Sequence, residues 1–179
     1  LSSDLLDDPS RGFSFQSEGP LDMRFNQSQT LTAERLLNGE TEEGLKKIFQ
    51  EFGEEKFSGR IARAIFITRQ SSKLQTTAEL FNLIRNALPG AERHRAKDSA
   101  RRIFQALRIA VNDELKNLRT ALPQALKILR PGGRLVVISF HSLEDRAVKR
   151  FFSEQSRGCV CPPEFPKCIC GKNPSLKIY

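Results

Sequence analysis

No stretch of this 179-residue chain approaches the roughly 20 consecutive apolar residues that a membrane-spanning helix requires. Nothing at its start joins a basic segment to an apolar run in the manner of a secretory signal, and its first residue is Leu1, not Met. The expectation is a cytosolic, membrane-free chain that is a piece of a longer one or has been processed. Histidine is scarce, with two residues in all. There is no glycine-rich phosphate loop, no His-Glu-x-x-His pair and no Ser-His-Asp order suited to a triad. These absences weigh against hydrolase and nucleotide-hydrolysing chemistry. Cysteine is missing from the first 158 residues, and all four lie between Cys159 and Cys170.

Positive charge is plentiful: 29 Lys and Arg stand against 21 Asp and Glu, for a net charge of +8. The excess lies mostly after Arg60, in 93–97, at Arg101 and Arg102, and across 130–157. Two readings stay open, a polyanionic partner such as nucleic acid and a solvated basic surface. Apolar residues make up 39% of the chain, enough for a core in one ordinary domain or two small ones.

The first 25 residues lack periodicity. Turn formers such as Asp8-Pro9, Gly12 and Gly19-Pro20 alternate with Phe13, Phe15, Leu21 and Met23, as in a loop with apolar anchors folded over a site. From about 30 to 88 the pattern is helical. Thr41 caps one helix, with Leu45, Ile48, Phe49 and Phe52 on its apolar stripe and Gly53 at its end. A second carries Phe57, Ile61, Ala64 and Ile65. A third starts at Thr76, with Glu79 completing a capping box, and stops at Pro89-Gly90. A basic linker over 90–98 leads to a long helix expected over 99–120 and a short one over 123–129.

The segment 131–152 is the most informative. A Pro131-Gly132-Gly133 turn feeds the β-branched run 135–139, which reads as a strand buried on both faces. Helix 142–152 follows, and its neighbouring strands must come from sequence outside this chain. Ligands in open α/β sheets gather beyond the carboxyl ends of strands, which puts Ser139, Phe140, His141 and Ser142 where chemistry is expected. A final strand is expected at 176–179.

Each candidate residue has a structural role open beside the functional one. His141 either faces substrate or only hydrogen-bonds near a strand end. Ser142 can cap the following helix and Asp145 can favour its N-terminus. Asp22 and Arg24 can simply pair locally, while Arg11, Arg24, Arg101 and Arg108 can hold phosphates, with Arg102 beside Arg101 as a further RNA contact. Cys159, Cys161, Cys168 and Cys170 can supply four thiolates to zinc, line a reduced loop or form disulfides, the last disfavoured in the cytosol.

Taken together, Leu1-Ser2-Ser3, 6–15, 19–24, 53–65, 104–115 and 131–152 resemble the S-adenosylmethionine-dependent methyltransferases that act on cytosine N4 of small-subunit ribosomal RNA. The resemblance runs nearly end to end. It implies an α/β fold, a partial Rossmann-like class I methyltransferase domain with an inserted all-helical domain. Residues 1–25 would be an active-site loop, 26–97 the inserted helical substrate-binding domain, and 98–179 the remainder, with the cysteine-rich loop at 159–170. Ser2, Ser3, Asp22 and His141 are the implied catalytic residues, and Phe13, Phe15, Arg24, Arg101 and Arg108 the implied RNA contacts. Phe13 and Phe15 can instead serve as loop anchors in the core. The cofactor implied is S-adenosylmethionine, with most of its binding residues upstream of Leu1, so that this chain alone is expected to be inactive. Where the family has a cofactor-contacting Gln, this sequence has Leu5. Small-subunit ribosomal RNA is the implied partner, zinc a secondary cofactor reading, and a homodimer is left open. The alternative function is a non-catalytic basic RNA-binding module, stabilised by zinc.

Overall fold

The computed structural model describes residues 3–159, 161–162, 167 and 169–179, with the side chain of Ser3 left undescribed. The chain divides into two compact units, Leu1–Glu114 and Leu115–Tyr179.

In the first unit, α1 (Ser3–Asp7) and a 3-10 turn (Pro9–Arg11) precede a long loop. Four helices follow: α2 (Ala33–Gly39), α3 (Glu42–Glu51), α4 (Ser58–Thr68) and α5 (Thr77–Ala87). A second 3-10 segment (Gly90–Arg95) leads into α6 (Ala96–Asn112). The caps are those the sequence predicts: Thr41 accepts from the Gly44 N–H, and Thr76 and Glu79 form a reciprocal capping box. Helix α2, not resolved as a separate element in the sequence, is capped by Thr32, which accepts from the Arg35 N–H. The apolar stripe of α6, including Ala100, Ile103, Phe104 and Leu107, is buried in one cluster with Leu37, Leu45, Phe49, Ile61, Ile65, Leu80 and Ile84. Helix α6 is thus part of the same core as α2–α5.

The long helix expected over 99–120 is broken. Asp113 adopts a left-handed conformation (φ 50°), ending α6, and α7 (Glu114–Ile128) starts anew. The preceding Asn112 explains the break, because its side chain is held by the N-terminal loop, as detailed below. The short helix expected at 123–129 does not exist separately. Pro123 lies inside α7, where its missing N–H removes one rung of the ladder.

In the second unit α7 is followed by 129–141 and α8 (Ser142–Ser156). The expected buried strand over 135–139 is not realised in this chain. The segment has no paired neighbour among the described residues, and Val136, Ile138 and Phe140 are about four-fifths exposed. Leu135, Val137 and Ser139 on alternate positions are partly covered. A strand needs ladder partners to bury its backbone and its faces, and none of the described residues supplies them. The final strand expected at 176–179 is likewise absent. Among the described residues the only β-pairing is an isolated bridge between Pro20 and Thr76, so the α/β character is not displayed by the chain itself.

Candidate functional site

The N-terminal loop is built from backbone contacts that only glycine permits. Gly12 has a positive φ of 68°, and a Cβ there would overlap the Pro20 carbonyl oxygen; one at Gly19 would overlap the carbonyl of Pro9. The loop docks on α5 through Leu21 N–H to the Gln75 carbonyl (2.9 Å) and Thr77 N–H to the Gly19 carbonyl (2.9 Å). Leu21 and Met23 are fully buried. Met23 has φ 58°, a conformation that costs a non-glycine residue about 1–2 kcal/mol. The surroundings over-determine it: its N–H donates to the Arg11 carbonyl (2.9 Å), and its carbonyl accepts from Asn112 Nδ2 (2.8 Å).

Asn112 is the clamp. Its Oδ1 accepts from the Phe25 N–H (2.7 Å), and its Nδ2 also donates to the Arg108 carbonyl (2.8 Å). Nothing in the sequence reading singled it out. The available signal is an amide at a helix terminus next to a residue suited to a left-handed cap.

Between the loop and α6 lies a cavity of about 250 Å³ lined by Leu6, Phe13, Phe15, Phe104, Arg101 and Arg108, among others. Four of the five predicted RNA contacts therefore meet in one place. The two phenylalanines are also anchors. Phe13 is buried and stacks on Phe25 (5.6 Å between centroids), while Phe15 stacks on Phe81 (5.3 Å) and meets Phe104 edge-on (5.4 Å). Phe25, missed in the sequence, is the partly exposed ring of this group, at 41%.

The arginines differ in what they can reach. Arg108 sets Nε and Nη2 against both carboxylate oxygens of Glu114 (2.8 and 3.2 Å), with both side chains largely covered. Among the described residues Arg101 has only a surface pair with Asp98 (3.2 Å), and its side chain is 66% exposed. Such a pair contributes about 0–1 kcal/mol and exchanges readily for a phosphate. Arg24 grips Asp22 with Nε (2.9 Å) and Nη2 (2.7 Å), and Nη1 reaches the carbonyls of Gln27 and Gln29. It is a brace within the loop. A larger groove, about 530 Å³, lies between α4 and α5, lined by Lys73, Asn82 and Asn86 among others, and includes none of the predicted residues.

Ser2 lies outside the described residues, and Ser3 opens α1. Leu5 packs against the core. In the second unit His141, not Ser142, caps α8. Its Nδ1 accepts from the Glu144 N–H (3.4 Å), and Glu144 Oε2 accepts from the Phe140 N–H (3.0 Å). The histidine is preferred because its extended backbone ends the preceding segment and its ring nitrogen reaches the first free amides. Nε2 then stands 3.5 Å from Glu144 Oε1. Asp145 pairs with Lys149 one turn on (2.8 Å). Cys159, Cys161 and Cys170 cluster, and Cys168 lies outside the described residues.

The sequence profile of the MraW methylase family matches residues 1–179. The chain belongs to the MraW methylase family. A protein of Heliobacterium modesticaldum named Ribosomal RNA small subunit methyltransferase H is 53% identical over 178 residues, 99% of this chain and 57% of that protein. The proteins of the same name from Halothermothrix orenii and Carboxydothermus hydrogenoformans are 50% and 49% identical over the same share of this chain. The chain thus spans a little over half the length of these relatives. Membership implies a methyltransferase fold for the family; within this MraW chain the described residues contribute its helices and loops.

The loop of this MraW chain carries a pH signature. Hydrogen bonding from Arg24 holds the Asp22 carboxyl below its ordinary value, against the opposing effect of partial burial. A depressed folded value means that the stabilisation is fully present above the unfolded carboxyl value, about 3.9. It is lost as pH falls through the lower folded value. Asp22→Asn should therefore reduce stability at neutral pH and flatten the acid limb of the stability curve. Parallel urea titrations of parent and variant from neutral to strongly acidic pH check this; curves that stay a constant distance apart would refute it.

Proposed function

We propose that this MraW-family chain works on the acceptor side of an S-adenosylmethionine-dependent methyltransferase that methylates the exocyclic N4 of a cytidine in small-subunit ribosomal RNA. The observation that carries this reading is 53% identity over 178 residues to a protein named for methylating small-subunit ribosomal RNA. The choice of cytidine N4 rests on the resemblance of the sequence blocks.

The methyl donor presents an adenine, a ribose diol and an amino-acid end. The cavity beside α6 is lined by aromatic, amide, hydroxyl and cationic groups, with no carboxylate for a diol. Leu5 supplies no polar atom from its side chain and is packed against the core. The described residues do not fit the donor, and we assign them to the RNA. Arg101 offers an exposed cation for a phosphate, and Phe25 an exposed ring for a base; stacking of one base contributes about 1–3 kcal/mol. The helical stretch 26–97 extends this RNA-binding surface.

The target amino group is a poor nucleophile, because its lone pair is delocalised into the pyrimidine ring. It must leave its stack and be held in one orientation, with its N–H groups satisfied. Ser2, Ser3, Asp22 and His141 are the residues that the resemblance implies for this task. Asp22, kept ionised by Arg24, serves there as a hydrogen-bond acceptor and is too weak a base to carry the proton far.

The test is product analysis. The full-length protein carrying this chain, incubated with unmodified small ribosomal subunits and methyl-labelled S-adenosylmethionine, should give labelled N4-methylcytidine on nucleoside digestion. Label in C5-methylcytidine or in a ribose 2′-O-methyl group would overturn the proposal. So would RNA binding with no label transferred, the result expected of a silent RNA-binding module.

A further inference from the structure

The segment that follows α8 has no helix or strand among its described residues, yet it is held in place. The Lys172 ammonium donates to the Glu154 carbonyl (2.8 Å), and the Ser175 N–H donates to the Gln155 carbonyl (2.9 Å). These bonds fasten the chain beyond the cysteines back onto the end of α8. Between the two fastened ends, Cys159, Cys161 and Cys170 bring their sulfurs within 4.8 Å of one another.

The spacing has a chemical meaning. Sγ of Cys170 lies 3.9 Å from Sγ of Cys159. A disulfide would need about 2.05 Å. Two thiolates on one tetrahedral ion, each bound at about 2.3 Å, stand roughly 3.8 Å apart along the tetrahedral edge. The pair is thus set at the separation an ion requires.

Backbone amides point at the same sulfurs. The Cys161 N–H donates to Cys159 Sγ (3.4 Å), and the Ile169 N–H donates to Cys161 Sγ (3.4 Å). Amide contacts of this kind orient a ligating sulfur. Gly171, immediately after Cys170, has φ 61° and turns the chain away from the cluster. Arg157, Lys167 and Lys172 flank the cluster in sequence and offset the negative charge that three thiolates leave on a divalent ion.

We propose that Cys159, Cys161 and Cys170 bind one zinc ion through their thiolates. An all-sulfur set selects a soft, tetrahedral ion over magnesium or calcium. The ion substitutes for the apolar core that so short a segment cannot build. Cys168, outside the described residues, is no part of this assignment.

The complete chain, purified under reducing conditions without chelator, should contain one zinc per chain by elemental analysis. Replacing zinc with cobalt should give thiolate-to-metal charge-transfer bands and the intense visible bands of a tetrahedral site. Cys159→Ser and Cys170→Ser should each weaken zinc binding by about tenfold or more, since even a residue that only supports a ligand has an effect of that size. If either variant fails to fold, the parent alone decides the matter: chelator should release the zinc and speed alkylation of the three thiols. Zinc no higher than in the triple serine variant would overturn the proposal. A six-coordinate cobalt spectrum, or a Cys159–Cys170 disulfide under the same reducing conditions, would overturn it too.

Discussion

Arg102→Ala should destabilise the first unit by about 3 kcal/mol, the lower end of the range for removing one partner of a buried ion pair. The Glu55 side chain is completely buried; one carboxylate oxygen accepts from the Phe57 N–H (2.9 Å) and the other from Arg102 Nε (2.7 Å). Without Arg102 the carboxylate stays in the interior with no cation. Arg102 itself is partly exposed, which keeps the expected loss from being larger. Its neighbour Arg101 points outward, and Arg101→Ala should change stability by no more than about 0.5 kcal/mol. The two variants should exchange rank when RNA binding is measured against salt. Losing Arg101 should lower the slope by roughly one phosphate contact, while Arg102→Ala should leave it unchanged. Urea unfolding and salt-dependent binding of small-subunit RNA separate them. A flattened slope in the Arg102 variant alone would place the RNA path elsewhere.

Gly12→Ala should be nearly as damaging, at about 2–4 kcal/mol. Part is the cost of a side chain at a left-handed φ, and the rest is the displacement a Cβ would force on the Pro20 carbonyl. Because Gly12 adjoins Phe13, the cavity should distort with the loop, and RNA binding should weaken beyond what the lost stability alone explains. Gly132→Ala is the control. Its φ is 82°, but nothing among the described residues lies within 4 Å of the added carbon, so only the conformational cost of about 1 kcal/mol applies. Thermal unfolding of the two variants should show a shift at least twice as large for Gly12→Ala. Equal shifts would mean that the loop's arms are not pressed together in solution.

The helical unit was legible because its signals are local. Thr41 and Thr76 each cap the helix they announce. The stripes of α3 to α6 bury Leu45, Phe49, Ile61, Ile65, Leu80, Ile84, Phe104 and Leu107, with Ile48, Phe52, Phe57 and Leu83 partly covered and Ala62 taking the core place expected of Ala64. The break at Asp113 was not legible, since it is set by Asn112 reaching back 89 residues to the Met23 carbonyl. No window of neighbouring residues records such a bond. The run at 135–139 has the composition of an interior strand, but composition cannot supply the strands that would cover it. The same limit applies to the site. The residue types could be anticipated for Phe13, Phe15, Arg101 and Arg108, while the cavity they share follows from how the loop packs on α6. That Arg24 is engaged by Asp22 and two carbonyls, and that Phe25 is the exposed ring, follows from how the loop folds. At the start of α8 the sequence offers Ser142 as the cap, and the ring nitrogen of His141 takes the place instead.

The claim on which the functional reading rests is that target RNA enters the cavity between the 13–16 loop and α6. Small-subunit RNA carrying a photoactivatable cytidine at the proposed target position, crosslinked to the full-length protein and mapped by peptide mass spectrometry, addresses it directly. Adducts should fall on Phe13–Phe25 or on the Arg101–Arg108 stretch. Adducts concentrated on the groove between α4 and α5 would contradict the account.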